Sequence, residues 1–126
     1  MTKRILCVDD STTLRKSVLM ALDVIDVEII EAEDGVIGLE TLEKEKGKFD
    51  LILLDWFMPN MNGQQFLEAV KADTRYKTIP VVMLTTATDK IRMIQAIRTG
   101  AKHYLTKPFT QEDLLIRVVQ VLQLEL

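Results

Sequence analysis

Leu51-Ile52-Leu53-Leu54-Asp55 is a run of four apolar residues that ends on a carboxylate. An entirely apolar run this short is typical of a strand that is covered on both faces, as in a parallel sheet. Two further runs of the same kind occur at residues 5–8 and 81–84, and more mixed runs occur at residues 27–32 and 103–106. The sequence therefore predicts five strands.

Amphipathic stretches follow each of these runs. Their apolar residues recur at helical spacing, as in Leu14, Val18 and Leu22, which predicts a helix after every strand. The predicted helices span residues 12–22, 35–46, 63–72, 89–99 and 111–124. Capping residues precede them, namely Ser11 or Thr12, Asp34, Asn62, Thr88 or Asp89, and Thr110; Gly47 and Gly100 follow the second and fourth.

Strands that alternate with helices indicate an α/β fold, because right-handed crossovers place helices on both faces of a parallel sheet. We therefore expect a doubly wound (βα)5 fold with a five-stranded parallel sheet. No linker, low-complexity tract or second domain follows the fifth predicted helix. We expect one domain over residues 1–126, with no effector domain and no signal peptide.

Composition excludes several classes of protein. The 126 residues are 48% apolar and 28% charged, with a net charge of −3, whereas a general nucleic-acid binder would be basic. The longest apolar run has only five residues, too few for a membrane-spanning helix. Cys7 is the single cysteine, so an internal disulfide is impossible and a reducing cytoplasm is expected. Within a strand, Cys7 is best interpreted as a buried, unreactive thiol.

Charged and hydroxyl side chains follow four of the five predicted strands. Asp9 and Asp10 follow the first, Asp55 ends the third, Thr85 ends the fourth and Lys107 follows the fifth. These carboxyl ends meet at one edge of a parallel sheet, where such folds bind ligands. Three converging carboxylates repel one another and require a cation, and an all-oxygen cluster suits Mg²⁺.

The remaining site residues point to an anion as the second ligand. A fixed ammonium at Lys107 that faces a metal-bound carboxylate indicates an anion between them, most simply a phosphoryl group. The hydroxyl of Thr85 or Thr86 could donate to the same anion. Trp56 next to Asp55 is either a packing residue or a cover for the site. No glycine-rich phosphate loop is present, so nucleotide binding of that type is not indicated.

Four motifs resemble a known family. They are Ile5-Leu6-Cys7-Val8-Asp9-Asp10-Ser11, Leu54-Asp55-Trp56-Phe57-Met58-Pro59-Asn60-Met61-Asn62-Gly63, Val82-Met83-Leu84-Thr85-Thr86 and Tyr104-Leu105-Thr106-Lys107-Pro108-Phe109. Together they resemble the receiver domain of two-component response regulators, especially the single-domain chemotaxis regulators of the CheY type. The resemblance covers essentially the whole chain and implies a flavodoxin-like sheet of strand order 2-1-3-4-5.

The resemblance implies a role for each site residue. Asp55 would be the phosphoacceptor for a histidine kinase, with Lys107 and Thr85 on the phosphoryl oxygens. Mg²⁺ would be held directly by Asp10 and Asp55, largely through water by Asp9, and by the backbone carbonyl of Phe57. Tyr104 would be the switch aromatic, and the Lys107–Pro108 peptide bond would be cis.

The resemblance also places an output surface on the fourth helix, fifth strand and fifth helix. On the fourth helix we expect Ile91 and Ile94 to serve the core. Met93 and Ile97, with Lys90 one turn before, would then remain as an exposed patch for a partner helix.

Three positions depart from the pattern of the best-known chemotaxis member. Phe57 replaces an asparagine, Ala87 replaces an acidic residue, and Asn62 stands where aspartate is common. Neither Phe57 nor Ala87 can orient a hydrolytic water. We therefore expect slow self-dephosphorylation and an altered response to any phosphatase partner.

A cytoplasmic, monomeric signalling switch is the leading interpretation of these features. Its downstream target would be a protein, by resemblance a flagellar motor switch; a pilus system or a phosphate-sink role remains open. An aspartyl-phosphate hydrolase would need an acid/base carboxylate at the position of Phe57. A flavin binder would suffer repulsion from Asp9 and Asp10, and a degenerate adaptor would not retain all five site residues.

Overall fold

Ten elements alternate along the chain in the computed structural model, which describes residues 2–86 and 90–124. The strands are β1 Lys3–Val8, β2 Val27–Ala32, β3 Leu51–Asp55, β4 Val81–Thr85 and β5 His103–Thr106. The helices are α1 Thr12–Leu22, α2 Gly35–Lys44, α3 Gly63–Ala72, α4 Lys90–Thr99 and α5 Gln111–Leu122. Among the helices of the described residues, none has both the length and the hydropathy needed to cross a bilayer.

The five strands form one parallel sheet in the order β2-β1-β3-β4-β5. The chain runs from β1 outward to β2 and then returns to β3 on the other side of β1, so the strand order reverses between β1 and β3. Val8 pairs with Leu54 across this point, which places Asp9 beside Asp55. The predicted fold and strand order are confirmed.

The two faces of the sheet bury separate cores, because side chains alternate along each strand. One core includes Leu6, Val8, Ile52 and Leu54 under α2 and α3. The other includes Cys7, Leu53 and Leu84 under α1 and α5. Every residue of β3 and β4 is buried, as their apolar sequences predict. This rigid centre fixes the positions of the residues at the ends of the strands.

Side-chain caps start four helices where the sequence predicts them. Ser11 and Asp34 accept hydrogen bonds from backbone N–H groups in the first turns of α1 and α2. Asn62 and Thr110 form capping boxes with the third residue of α3 and α5. The predicted start of α4 at Thr88 or Asp89 lies outside the described residues.

Two helices end earlier than predicted. α2 stops at Lys44 rather than residue 46, because Lys46 and Gly47 adopt left-handed conformations with φ of 57° and 66°. α5 stops at Leu122 rather than residue 124, because Gln123 is left-handed with φ of 56°. Gly100 ends α4 with φ of 126°, as predicted.

The expected core face of α4 is wrong. Ile91 and Ile94 are 76% and 52% exposed, and Ala96 is the buried residue of the helix within the described chain. At about 100° per residue, Ile94 lies about 160° around the helix from Ala96. The helix therefore faces the core with one small side chain and turns its isoleucines outward.

Gly63 at the start of α3 allows that helix to approach the end of β3 closely. A Cβ atom at this position would lie 2.3 Å from the backbone oxygen of Asp55 and 2.8 Å from Cα of Trp56. The N–H of Gly63 donates to the carbonyl oxygen of Trp56 at 2.7 Å. This contact fixes the backbone that carries Asp55.

Candidate functional site

Three carboxylates meet at the carboxyl edge of the sheet, as the sequence predicts. One oxygen from each of Asp9, Asp10 and Asp55 lies within 4.8 Å of the others. Asp9 and Asp55 are buried, with 1% and 6% exposure, whereas Asp10 is exposed. Burial near like charges is costly for a carboxylate, so this cluster favours a cation.

Lys107 places its ammonium between the two buried carboxylates. Its Nζ donates to Oδ2 of Asp9 at 3.0 Å and to Oδ1 of Asp55 at 3.2 Å. Burial lowers the pKa of Lys107, but hydrogen bonds and attraction from Asp9 and Asp55 outweigh it and raise the pKa overall. The backbone N–H of Lys107 donates to the carbonyl of Thr85 at 2.8 Å, and the Lys107–Pro108 bond is cis, as implied by the resemblance.

The Asp55 carboxylate retains its proton to higher pH than an ordinary aspartate. Burial is the main cause, repulsion from Asp9 adds to it, and together they raise the pKa of Asp55 to about 6 despite the opposing effects of Lys107 and the Trp56 N–H. That N–H donates to Oδ1 of Asp55 at 2.9 Å. At neutral pH the carboxylate is ionised and carries its charge in a buried position.

Asp9 is held by partners that the sequence did not identify. Its side chain accepts from the N–H of Ser11 at 2.8 Å. Arg15 donates to the backbone carbonyl of Asp9 at 2.5 Å and pairs with Glu31 at 3.1 Å. Arg15 lies in the first turns of α1 and Glu31 lies near the end of β2. The predicted order of strands and helices places both residues near Asp9, but it does not specify these contacts.

The remaining predicted residues lie around the cluster. Thr85 is fully buried at the end of β4. Tyr104 is partly buried on β5, paired in register with Met83 and packed against the core. Cys7 is buried, and this burial raises its pKa to about 12, so the prediction of an unreactive thiol is supported. Trp56 is 5% exposed within the core, so it is a packing residue.

Phe57 lies at the outer edge of the site rather than in the core. Phe57 is 46% exposed, and the guanidinium of Arg92 on α4 lies 5.1 Å from the centroid of its ring. This cation–π contact joins the segment after Asp55 to the first turn of α4, and sequence spacing gave no sign of it. Ala87, the other position expected to affect dephosphorylation, lies outside the described residues.

The loop after Phe57 is fastened to α2. The Asn60 amide donates to Oδ2 of Asp34 at 3.2 Å, while Oδ1 of Asp34 caps α2 by accepting from Ile37 at 2.9 Å. Asn60 is left-handed, with φ of 69°, a conformation that asparagine tolerates better than most residues. Together with the close approach of Gly63, this hydrogen bond fixes the part of the loop between Phe57 and α3.

Comparison with known proteins identifies relatives of the whole chain. The family model of the response regulator receiver domain matches residues 5–119. Chemotaxis protein CheY1 of Helicobacter pylori is 38% identical over 94% of this chain and 96% of its own length. The phosphate regulon transcriptional regulatory protein PhoB of Escherichia coli is 36% identical over 98% of this chain, which spans 53% of that protein. The structure of chemotaxis response regulator CheY4 of Vibrio cholerae superimposes with a TM-score of 0.88 at 36% identity, covering 96% of this chain and 99% of that one.

We expect Asp55→Asn to raise the free energy of unfolding at pH 7 in metal-free buffer. The unfolded chain releases the Asp55 proton near 3.8 and the folded chain near 6, so ionisation of the buried group destabilises the fold as pH rises through this window. The pKa difference corresponds to a gain of up to about 3 kcal/mol at pH 7 and under about 1 kcal/mol at pH 4.

Urea unfolding at the two pH values measures this gain. Asp10→Asn is the matched control, because it removes the exposed carboxylate of the same cluster; we expect a gain of about 1 kcal/mol. An equal gain from Asp55→Asn at both pH values would contradict the burial argument.

Proposed function

Because this chain belongs to the response regulator receiver family, we propose that a histidine kinase phosphorylates it on Asp55 and that the phosphoryl group switches a protein-binding surface. Receiver domains take phosphoryl groups from histidine kinases and act on downstream targets. The observation that carries the proposal is the Lys107 ammonium, within 3.2 Å of the carboxylates of Asp9 and Asp55. From that position the ammonium can pair with the oxygens of a phosphoryl group that is attached to Asp55.

The proposed reaction uses Asp55 as the nucleophile without a general base. With a pKa of about 6, its carboxylate is ionised at neutral pH. One oxygen attacks the phosphorus of the phosphohistidine, the P–N bond breaks, and its electron pair returns to the imidazole nitrogen. Lys107 and the Thr85 hydroxyl bind the phosphoryl oxygens, where they offset the charge of a loose transition state.

The acidic cluster fits Mg²⁺, because it supplies only oxygen ligands and two of its three carboxylates are buried. Receiver domains bind Mg²⁺ at such a pocket, where the ion neutralises charge on the transferring group. Asp9 already accepts hydrogen bonds from Lys107 and Ser11, which suits a ligand that acts through water. Asp10 and Asp55, with the backbone carbonyl of Phe57, would bind directly.

A signalling role is favoured over hydrolysis of other substrates. The residue two positions after Asp55 is Phe57, whose side chain has no proton to exchange. The chain would thus catalyse only its own phosphorylation and dephosphorylation. We propose that it is a cytoplasmic monomer whose partners are a histidine kinase and a phosphatase.

We place the output surface on α4, β5 and α5. Met93, Ile97 and Tyr104 line an apolar cavity of about 360 Å³ between α4 and β5, and Lys90 begins α4 as an exposed cation. Thr85 and Tyr104 lie on neighbouring strands. A shift of Thr85 toward the phosphoryl group would therefore open space for Tyr104 and change this surface, so that a target binds the two states with different affinity.

Chemotaxis is the proposed pathway, with a flagellar motor switch as target. Support comes from the chemotaxis proteins of Helicobacter pylori and Vibrio cholerae, which match this chain over nearly their full lengths. The transcriptional regulator PhoB is almost as similar in sequence, so identity alone does not separate the pathways. A pilus regulator or a phosphate sink is the alternative.

Acetyl phosphate with Mg²⁺ is expected to add one phosphoryl group to the wild type and none to Asp55→Asn. Intact-protein mass spectrometry measures the product, and Trp56, next to Asp55, reports metal and phosphoryl binding by fluorescence. Omission of Mg²⁺ is the control and should reduce the yield strongly. Phosphorylation of Asp55→Asn at the wild-type rate would show that the acceptor is another residue.

Phe57→Asn is expected to shorten the lifetime of the phosphoryl group roughly tenfold, about 1.4 kcal/mol in barrier height. An amide can orient the attacking water, whereas the Phe57 ring with Arg92 stacked on it cannot. Release of inorganic phosphate over time gives the rate. Arg92→Met is the matched control, since it removes the stacked cation without adding a polar group. Unchanged lifetimes in Phe57→Asn, alone and with Ala87→Glu, would contradict this role.

Ile97→Glu is expected to abolish binding of the target while Asp55 is still phosphorylated. Thr85→Ala should accept the phosphoryl group on Asp55, but phosphorylation should increase its affinity for the target only weakly. Binding to a flagellar motor switch protein, with and without beryllofluoride, measures both effects. Val24→Glu is the control, because Val24 is 74% exposed just after α1. Normal target binding by Ile97→Glu would exclude this surface.

A further inference from the structure

A second groove lies on the side of α4 that faces α3, next to the apolar cavity with Tyr104. α3 and α4 form its walls, and its volume is about 650 Å³. Ile91, Ile94 and Arg98 line it from α4, and Gln64 and Glu68 line it from α3. Ile94 and Arg98 border both grooves, whereas Ile91 lines only this one and Ile97 only the other.

The α4 wall of this groove carries two exposed isoleucines beside the polar side chains of Gln95, Arg98 and Thr99. Ile91 is 76% exposed and Ile94 is 52% exposed. Neighbouring apolar side chains of this size are a feature of binding surfaces, because their exposure to water is unfavourable. They lie about one helical turn apart, which matches the spacing of apolar residues on a partner helix.

The α3 wall presents hydrogen-bond acceptors. The Gln64 amide donates to Oε1 of Glu68 at 3.0 Å and to Oγ1 of Thr99 at 2.7 Å. The Thr99 hydroxyl itself donates to the carbonyl of Gln95 at 2.8 Å, which fixes the orientation of the amide. Oε1 of Gln64 is buried and receives no hydrogen bond within the described residues. The exposed Glu68 carboxylate therefore favours a hydrogen-bond donor of a partner on the α3 side, whereas the buried Gln64 oxygen lies out of a partner's reach.

The charge of α4 is opposite to that of the whole chain. Residues 90–99 contain Lys90, Arg92 and Arg98 and no acidic residue, in a protein of net charge −3. A second copy is a poor occupant, because two antiparallel α4 helices centred on Ile94 would bring Arg98 of one opposite Lys90 of the other. A partner with carboxylates on the α4 side meets attraction instead.

We propose that the α3–α4 groove binds an amphipathic helix of another protein, with its apolar stripe on Ile91 and Ile94. The flank that faces α4 carries carboxylates, and the flank that faces α3 carries hydrogen-bond donors for the exposed carboxylate of Glu68. The groove is present in the unphosphorylated chain, so binding there requires no phosphoryl group on Asp55. It gives the chain a second protein-binding surface beside the output surface.

A designed, fluorophore-labelled helix of about 18 residues, or five turns, provides the probe. It carries leucines at i, i+3, i+4 and i+7, glutamates along one flank and glutamines along the other. Fluorescence anisotropy against the full unphosphorylated chain is expected to show saturable binding below about 1 mM. A companion peptide with lysines in place of the glutamates should bind roughly fivefold more weakly, and added salt should narrow the difference.

Ile91→Asp and Ile97→Asp form the decisive pair of variants. Ile91→Asp should weaken binding of the glutamate peptide by about tenfold or more, because it puts a carboxylate in the groove. Ile97→Asp should bind as the wild type does. Ile91→Gln repeats the test without a charge, and circular dichroism verifies that each variant is folded. Asp55→Asn, which cannot be phosphorylated at this position, should still bind the peptide saturably, and this result separates the proposal from the proposed phosphorylation.

Several results would overturn the proposal. Loss of binding in Ile97→Asp but not in Ile91→Asp or Ile91→Gln would place the helix on the β5 side. Equal affinity for the lysine peptide would exclude an acidic partner, and absence of saturable binding would exclude a helix of this type. A dimer in sedimentation that Ile91→Asp dissociates would identify a second copy as the occupant.

Discussion

The ion pairs of Lys107 with Asp9 and Asp55 join three strands whose residues are far apart in the chain. Lys107 lies 98 residues from Asp9 and 52 from Asp55, so the contact forms only when β1, β3 and β5 are aligned in one sheet. Burial and, to a lesser extent, repulsion from Asp9 keep the pKa of Asp55 raised, because one ammonium offsets the two buried carboxylates incompletely. The fold therefore holds a site with excess negative charge, and binding of a cation there relieves the repulsion.

The backbone around Asp55 is held by different kinds of contact on its two sides. On the α3 side, Gly63 lies against the Asp55 backbone and Asn60 is hydrogen-bonded to Asp34. On the α4 side, the cation–π contact between Phe57 and Arg92 is of a kind worth about 0.5–1 kcal/mol when exposed.

The fold and the acidic site could be predicted from short apolar runs that end in functional residues. A strand buried on both faces leaves little ambiguity about its position, and parallel strands bring Asp9, Asp55 and Lys107 to one edge. The core face of α4 could not be predicted in this way. Its isoleucines recur at helical spacing, but Ala96 is the residue that meets the core, because a small side chain suits close packing there.

Long polar side chains were the other limit of prediction. Arg15 and Arg92 contact Asp9 and Phe57 across different elements, and no spacing within one helix specifies such contacts. The left-handed residues that end α2 and α5 are a lysine and a glutamine at Lys46 and Gln123. Neither residue type signals this conformation, so both helices were predicted two residues too long.

α4 connects the proposed phosphorylation site to both proposed binding surfaces. Arg92 in its first turns contacts Phe57, Ile97 borders the cavity with Tyr104, and Ile91 borders the groove with α3. Because Ala96 alone is fully buried among residues 90–99, little apolar packing opposes a small rotation or shift of this helix. Such a movement changes both surfaces together. By linkage, a partner that binds one position of α4 more tightly also favours the state of Asp55 that goes with that position.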